Sequence, residues 1–253
     1  MYALNAINIS KSYRSQGETA VVLQNADLQI KIGEMAAIMG LSGSGKTTLL
    51  HVLSGVDKLD SGKVEIAGED FTALTSEEAA VFRRTHIGMI FQDFQLLESL
   101  TVKENVILPL ILDRFDVSDQ EAAFEKVMKV PGIRELADRG IAELSGGQKQ
   151  RVAAARALIH EPEIIFADEP SGSLDMKTAR DLMLCMVQLN RQTGCSFLIV
   201  THDAYTASFC SRVLFLQNGR LESELLRQQG RAAFQKDILN MWCCLGGGQD
   251  DFT

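Results

Sequence analysis

Apolar and polar positions along the chain change period repeatedly, and each change marks an element. Residues 2–10 alternate loosely and Val21 to Ile30 more clearly, the period-two signature of half-exposed strands. Glu34-Met-Ala-Ala-Ile-Met39 is a short apolar run of the buried-strand kind, and Lys46 to Ser54 places its apolar residues on one helical face. Alternation returns at Lys63 to Gly68, after the turn Asp60-Ser-Gly62. Ser76 to Arg84 reads as a helix capped at Thr75 or Ser76, with Glu77 and Glu78 in its first turn. A strand, His86 to Phe91, then runs into Gln92-Asp93. From Phe94 to His160 the pattern is helix after helix with no convincing strand. Thr101 can cap a helix from Val102, Ser118 caps one from Asp119 to Val130, Pro131-Gly132 breaks that helix, and Ile133 to Ala137 starts another. Lys149 to Leu158 is strongly helical in composition. Buried-strand runs reappear at Glu163 to Ala167 and Cys195 to Val200, on either side of an amphipathic helix from Met176 to Asn190. Arg212 to Gln217 and Arg220 to Glu224 flank Asn218-Gly219, a strong hairpin signal.

Strands alternating with helices predict an α/β fold. The helical stretch 93–160 reads as an insertion into an α/β core formed by 1–92 and 161–229, with 230–253 left as a C-terminal helix and tail. In that tail Phe234, Ile238, Met241, Trp242 and Leu245 fall on one helical face, opposite Gln235, Lys236, Asp237 and Asn240. Gly246-Gly-Gly248 ends the helix, and Gln249 onward is expected to fray. A face carrying a tryptophan needs a partner: either the chain's own core or another subunit.

The 253 residues suit one large domain, or a domain with an inserted subdomain, and 46% hydrophobic residues support a sizeable core. A net charge of −8 argues against a nucleic-acid binder, which normally presents a basic surface. No apolar run approaches the ~18 residues of a membrane span, and Met1-Tyr-Ala-Leu-Asn lacks the features of a signal peptide. Five cysteines in no pairing or metal-type pattern predict a reduced, cytoplasmic protein. The four scattered histidines suggest no metal site.

The chemistry gathers at strand ends. Gly40-Leu-Ser-Gly-Ser-Gly45-Lys46-Thr47 has the form G-x-x-x-x-G-K-[ST] between a strand and a helix, the geometry of a phosphate-binding loop. Glycines at 40, 43 and 45 let backbone N–H groups converge on phosphate oxygens. Lys46 adds a point charge worth roughly 4 kcal/mol against one phosphate charge at an effective dielectric of about 20. Thr47 offers Mg²⁺ a hydroxyl ligand, and the loop as a whole binds a nucleoside triphosphate. Asp168-Glu169 ends the second buried strand. Asp168 can hold Mg²⁺ through water, while Glu169 can orient or deprotonate an attacking water. His202 terminates the next strand and Gln92 an earlier one, where ligands of α/β domains bind. Ser145-Gly-Gly147 opens a helix and offers a second anion site, or else an ordinary N-cap. Tyr13 can stack on a purine or simply pack.

Together these stretches resemble the ATP-binding subunit of an ABC transporter, over nearly the whole chain: the loop 40–47, Gln92, the signature Leu144-Ser-Gly-Gly-Gln148, the 164–169 strand with its acids, Ser171 to Asp175, and His202. The resemblance implies a P-loop NTPase core with an antiparallel β subdomain and an inserted helical subdomain. It also implies ATP hydrolysis with Mg²⁺, in a head-to-tail homodimer holding two ATP molecules in its interface. ATP contacts would come from Tyr13, Gly40, Ser42, Gly43, Ser44, Gly45, Lys46, Thr47 and Thr48 of one subunit. Ser145, Gly146, Gly147, Gln148 and Asp175 would complete the site, the signature residues reaching it from the other subunit. Thr47, Gln92 and Asp168 would serve the metal, and Glu169, Gln92 and His202 catalysis.

A narrower likeness, in Phe91 to Thr101 and Leu108-Pro-Leu-Ile-Leu-Asp113, is to the branch of lipoprotein-release, macrolide-export and antimicrobial-peptide-resistance ATPases. It is greatest to the bacitracin-resistance type, which implies a permease partner with a large extracellular domain, a sensor kinase reached through it, and a place on the inner face of the cell membrane. Ser171-Gly-Ser173 departs from the usual Thr-Gly-Ala or Thr-Gly-Asn, and Trp242-Cys-Cys244 is a further departure. A DNA-repair or ribosomal ATPase would need a long coiled coil or tandem cassettes, which this sequence lacks. A sensor that binds ATP without hydrolysing it would typically lack Glu169 or His202, and both are present.

Overall fold

The computed structural model describes residues 1–15, 18–128 and 132–246, and the statements below concern those residues. The predicted alternation becomes two sheets. Strands β1 (Tyr2–Ser15), β2 (Glu18–Lys31), β4 (Ser61–Ile66) and β5 (Glu69–Asp70) form an antiparallel sheet in the order β2-β1-β4-β5. Strands β3 (Met35–Met39), β6 (Ile87–Ile90), β7 (Ile164–Asp168), β8 (Ser196–Val200), β9 (Arg212–Gln217) and β10 (Arg220–Leu226) form a second, in the order β10-β9-β3-β8-β7-β6. It is parallel from β9 to β6, and only β10 runs against its neighbour.

Side-chain alternation on β3 shows how the second sheet is buried on both faces, as parallel sheets require. Met35, Ala37 and Met39 enter one core, with α3 (Val102–Leu112), α5 (Gly146–Leu158) and α6 (Met176–Thr193). Ala36 and Ile38 enter the other, with α1 (Lys46–Leu53) and the apolar face of the antiparallel sheet. Helix α2 (Ser76–His86) precedes β6 and is capped by Thr75, the first of the two candidates, in a capping box closed by Glu78. Helix α7 (Ala204–Ala207) follows β8, and α8 (Arg231–Cys244) closes the described chain.

The stretch predicted as helical contains α3, α4 (Val117–Val127), α5 and two 3₁₀ turns, Arg134–Leu136 and Ile141–Glu143. Thr101 caps α3 through a capping box with Glu104. Two expectations fail here. Helix α4 begins at Val117 behind Asp116, so Ser118 lies inside the first turn rather than at the cap. The helix expected at 133–137 is a single 3₁₀ turn, Arg134–Leu136. The expected break at Pro131 lies outside the described residues, as does the tail from residue 247. Helix α8 turns its apolar face to the chain's own core: Phe234 and Ile238 are fully buried, and Met241, Trp242 and Leu245 pack beside them. Full burial of each of the first two side chains contributes roughly 1.5–3 kcal/mol. No described helix is long and apolar enough to cross a membrane.

Candidate active site

In a parallel sheet the chain leaves each strand at its carboxyl end, and ligands collect there. Here β3 opens into residues 40–45, β7 ends at Asp168 with Glu169 following, and β8, lying between them, opens into Thr201-His202. The loop after β3 is shaped by close approach. A Cβ on Gly40 would lie 2.4 Å from the Leu216 carbonyl oxygen, and Gly45 caps α1 with φ +100°, so both positions need glycine. Lys46 folds back over this loop, its Nζ donating to the carbonyls of Gly40 and Leu41 at 2.7 and 2.9 Å. Burial lowers the Lys46 pKa, against the opposing pull of the Glu169 and Asp168 carboxylates. The ammonium is thus held ready at the loop, with neutral carbonyls as its hydrogen-bond partners.

Asp168 is half-buried, and burial pushes its pKa up, with the Glu169 charge adding to the effect. His51, Lys46 and a hydrogen bond from Thr47 act the other way. This carboxylate and hydroxyl suit a hard cation, which would relieve the cost of keeping Asp168 ionised. Mg²⁺ takes few protein ligands and fills its shell with water and phosphate oxygens. Its fit therefore does not require a cluster of His, Cys, Asp or Glu, and none of three or more occurs among the described residues.

Glu169 adopts a left-handed backbone, φ +43°, uncommon for a residue with a side chain and typical of functional sites. Its N–H donates to the Val200 carbonyl at 2.9 Å. The carboxylate accepts three hydrogen bonds: at Oε1 from the His202 N–H (3.0 Å) and His202 Nδ1 (2.7 Å), and at Oε2 from the Thr201 hydroxyl (3.0 Å). The His202 side chain is two-thirds exposed while that of Glu169 is mostly covered. The predicted acid and histidine, 33 residues apart, are therefore a direct pair.

Tyr13, Ser42, Gly43, Gly45, Lys46, Thr47, Thr48, Asp168 and Glu169 line one cleft of about 450 Å³. Gln92 and Gly146 line an adjoining depression with Thr47 and Asp168. Ser145, Gly147, Gln148 and Asp175 line neither. Ser145 caps α5 in a capping box with Gln148, and Asp175 caps α6 by accepting from the N–H groups of Lys177 and Thr178. These two helix starts touch, since a Cβ on Gly147 would lie 2.1 Å from Thr178 Cγ2.

Tyr13 stands within β1 rather than before a loop. Its hydroxyl donates to Asp57 at 2.6 Å, which raises the Tyr13 pKa, and the Lys11 ammonium lies 4.9 Å from the ring centroid. The ring is held by polar partners on an exposed surface, not buried among apolar ones. Pattern reading missed this support, and also the support of the Gln92 turn. Phe94 and Gln95 both take left-handed φ, and Arg156 of α5 holds both of their carbonyls, while Gln150 donates to the carbonyl of Phe91. The only sequence trace is that Gln150 and Arg156 belong to the helix opened by the signature.

A glycine-rich strand–loop–helix with its lysine, two carboxylates at a nearby strand end and a histidine paired with one of them define a P-loop nucleoside triphosphatase. Within that class, a family model described as ABC transporter matches residues 23–172, and the chain belongs to this family as an ATP-binding, ATP-hydrolysing subunit. It is similar to the Bacitracin export ATP-binding protein BceA of Halalkalibacterium halodurans, 47% identical over 99% of this chain and 100% of the relative. It is also similar to the Lipoprotein-releasing system ATP-binding protein LolD of Francisella tularensis, 42% identical over 87% of this chain and 95% of the relative. Among solved structures it resembles a dimeric post-hydrolysis ATP-binding cassette bound to ADP and Pi, with TM-score 0.80, 37% identity, and coverage of 90% of this chain and 100% of that one.

Proposed function

We propose that this chain powers a membrane permease of the antimicrobial-peptide-resistance type by hydrolysing ATP within a head-to-tail homodimer at the cytoplasmic face of the membrane. The observation that carries the catalytic part is the Glu169–His202 pair at the cleft that holds Lys46. The subclass rests on end-to-end similarity to a bacitracin-export ATPase, against a similarity to the lipoprotein-release protein that covers less of this chain. A sensor kinase reached through the permease belongs to the same reading. One domain serves throughout, with residues 1–92 and 161–229 as its α/β core, 93–160 as its helical subdomain, and 230–253 as an appended helix and tail.

In this mechanism the loop N–H groups and Lys46 bind the phosphate chain, Lys46 exchanging its two carbonyl partners for phosphate oxygens. Tyr13 stacks on the adenine, its hydroxyl anchored by Asp57. Thr47, Gln92 and Asp168 are the residues that would hold Mg²⁺, which when bound offsets charge on the phosphates. Glu169 orients the attacking water and takes its proton as the water oxygen bonds to the γ-phosphorus and ADP leaves. Thr201 and His202 hold the carboxylate in place, and the exposed imidazole faces the γ-phosphate. The N–H groups of Gly146 and Gly147, which lack intrahelical acceptors, face the same phosphate from the second subunit.

A phosphate-release assay on the Glu169→Gln variant tests the catalytic assignment. Turnover falls roughly 10²–10⁴-fold while ATP affinity stays within about twofold. Near-normal turnover would remove Glu169 from this role. Co-expression with a permease of the large-extracellular-domain class, followed by peptide-antibiotic challenge, tests the subclass. Resistance supports it, and rescue of lipoprotein release instead supports the other branch.

A further inference from the structure

The start of α8 grips the helix that follows His202. The Arg231 guanidinium lies 4.8 Å from the ring centroid of Tyr205 and 4.4 Å from that of Phe209, and the two rings meet edge to face at 5.4 Å. Arg231 also donates to the Ser208 hydroxyl at 3.5 Å, and that hydroxyl donates to the Tyr205 carbonyl at 2.6 Å. One cation thus bridges both aromatic residues of α7 and its flank. Cation–π contacts of this kind prefer arginine, whose planar face stacks.

From α7 the path to the reacting carboxylate is short and buried. The fully buried Thr206 hydroxyl donates to Asp203 Oδ2 at 2.7 Å, so the 2.7 Å contact between Thr206 and Ser171 must have the Ser171 hydroxyl as donor. Ser171 lies two residues after Glu169. Asp203 donates its N–H to the Thr201 hydroxyl at 3.1 Å, and that hydroxyl donates to Glu169 Oε2. Helix α7 therefore holds Glu169 from both sides, through Ser171 on its own loop and through Thr201 on its carboxylate. Ser171 supplies the hydroxyl for this link.

We infer that Arg231 is a positioning residue for hydrolysis, fixing α7 and through it Glu169 and His202, so that the C-terminal helix sets the turnover rate without touching ATP. The inference rests on the assignment of Glu169 and His202 above. Arg231 lines none of the cleft around Lys46, so its loss changes the chemical step and leaves ATP binding alone.

The test is steady-state hydrolysis by the full chain as Arg231→Met, Arg231→Lys and Tyr205→Leu, with thermal unfolding recorded beside it. Arg231→Met lowers kcat about fivefold to tenfold with the KM for ATP within about twofold, and Arg231→Lys restores at least half of the lost rate, since lysine keeps a cation over the rings. Tyr205→Leu, which removes one ring from beneath the guanidinium, lowers kcat by about threefold and adds little when combined with Arg231→Met. If Arg231→Met does not fold, Tyr205→Leu carries the same split alone. Unchanged kcat in folded variants, or a KM that rises as kcat falls, overturns the inference while leaving the ATPase assignment standing. A wild-type chain with no ATP turnover, alone or with its permease, overturns both.

Discussion

Two glycine-rich helix starts in this molecule are finished in opposite ways. At α1 the N-cap is Gly45 in a left-handed conformation, with no side chain closing the first turn. The next residue, Lys46, is pulled toward the loop, and Asp168 and Glu169 stand nearby. At α5 the cap is Ser145, which with Gln148 closes a complete capping box, and the helix opens on two glycines without a lysine. The proposed mechanism makes the first start a binding site within one subunit. The second satisfies part of its turn by itself, and the proposed mechanism keeps the N–H groups of Gly146 and Gly147 for a partner. In the proposed mechanism, charge decides whether one subunit binds the phosphates, and the α5 start decides whether two subunits close on them.

The largest expected effect falls on the first start. Lys46→Ala removes the only charge that the loop itself contributes, and ATP affinity falls at least about 100-fold, the equivalent of about 2.7 kcal/mol. Isothermal titration with ATP measures it, and retained micromolar affinity would mean that the loop N–H groups suffice.

The acids behind that loop carry an expected gain in stability. The raised pKa of Asp168 means that its folded state holds a proton more firmly than the unfolded chain, so its contribution to stability falls as pH rises from the ordinary 3.8 through the raised value. Asp168→Asn should therefore raise the melting temperature of the nucleotide-free protein at neutral pH by a few degrees and abolish magnesium-dependent turnover. The stability gain shrinks as pH is lowered toward 3.8, where the wild-type carboxyl is itself protonated. A lower melting temperature at pH 7 would show that Asp168 is favourably paired instead.

A smaller effect is expected at the rim. Asp57→Ala frees the Tyr13 hydroxyl and loosens the ring, raising the KM for ATP about threefold to tenfold, or roughly 1 kcal/mol, with kcat unchanged. If KM does not move, the ring needs no anchor or does not meet the base.

Much of this was legible because the chemistry follows strand ends, and strand ends are marked by short apolar runs. The loop at 40–47, the acids at 168–169 and His202 each follow such a run, and each lies where the sheet delivers it. The start of α4 differs because Asp116 and Ser118 are both favoured N-cap residues and pattern alone does not choose between them. Local pattern leaves the role of Tyr13 open because its anchor, Asp57, is 44 residues away. Arg156 holds carbonyls 61 and 62 residues away, and α7 is gripped from α8, so those supports could not be read from local periodicity. The apolar run 94–102 also divides in a way its letters do not show: Val102 is buried and Leu96 packs on the core, while Leu97 is half-exposed.

The central claim, that the α5 start acts across subunits and not within one, is tested by sedimentation of Glu169→Gln with ATP, with and without Ser145→Arg. The single variant is expected to form an ATP-bound dimer. Adding Ser145→Arg should return it to monomers that still bind ATP with affinity unchanged within about twofold, beyond the ~1 kcal/mol of fold stability lost with the cap. A dimer that persists, or a monomer that loses ATP affinity, would contradict the account.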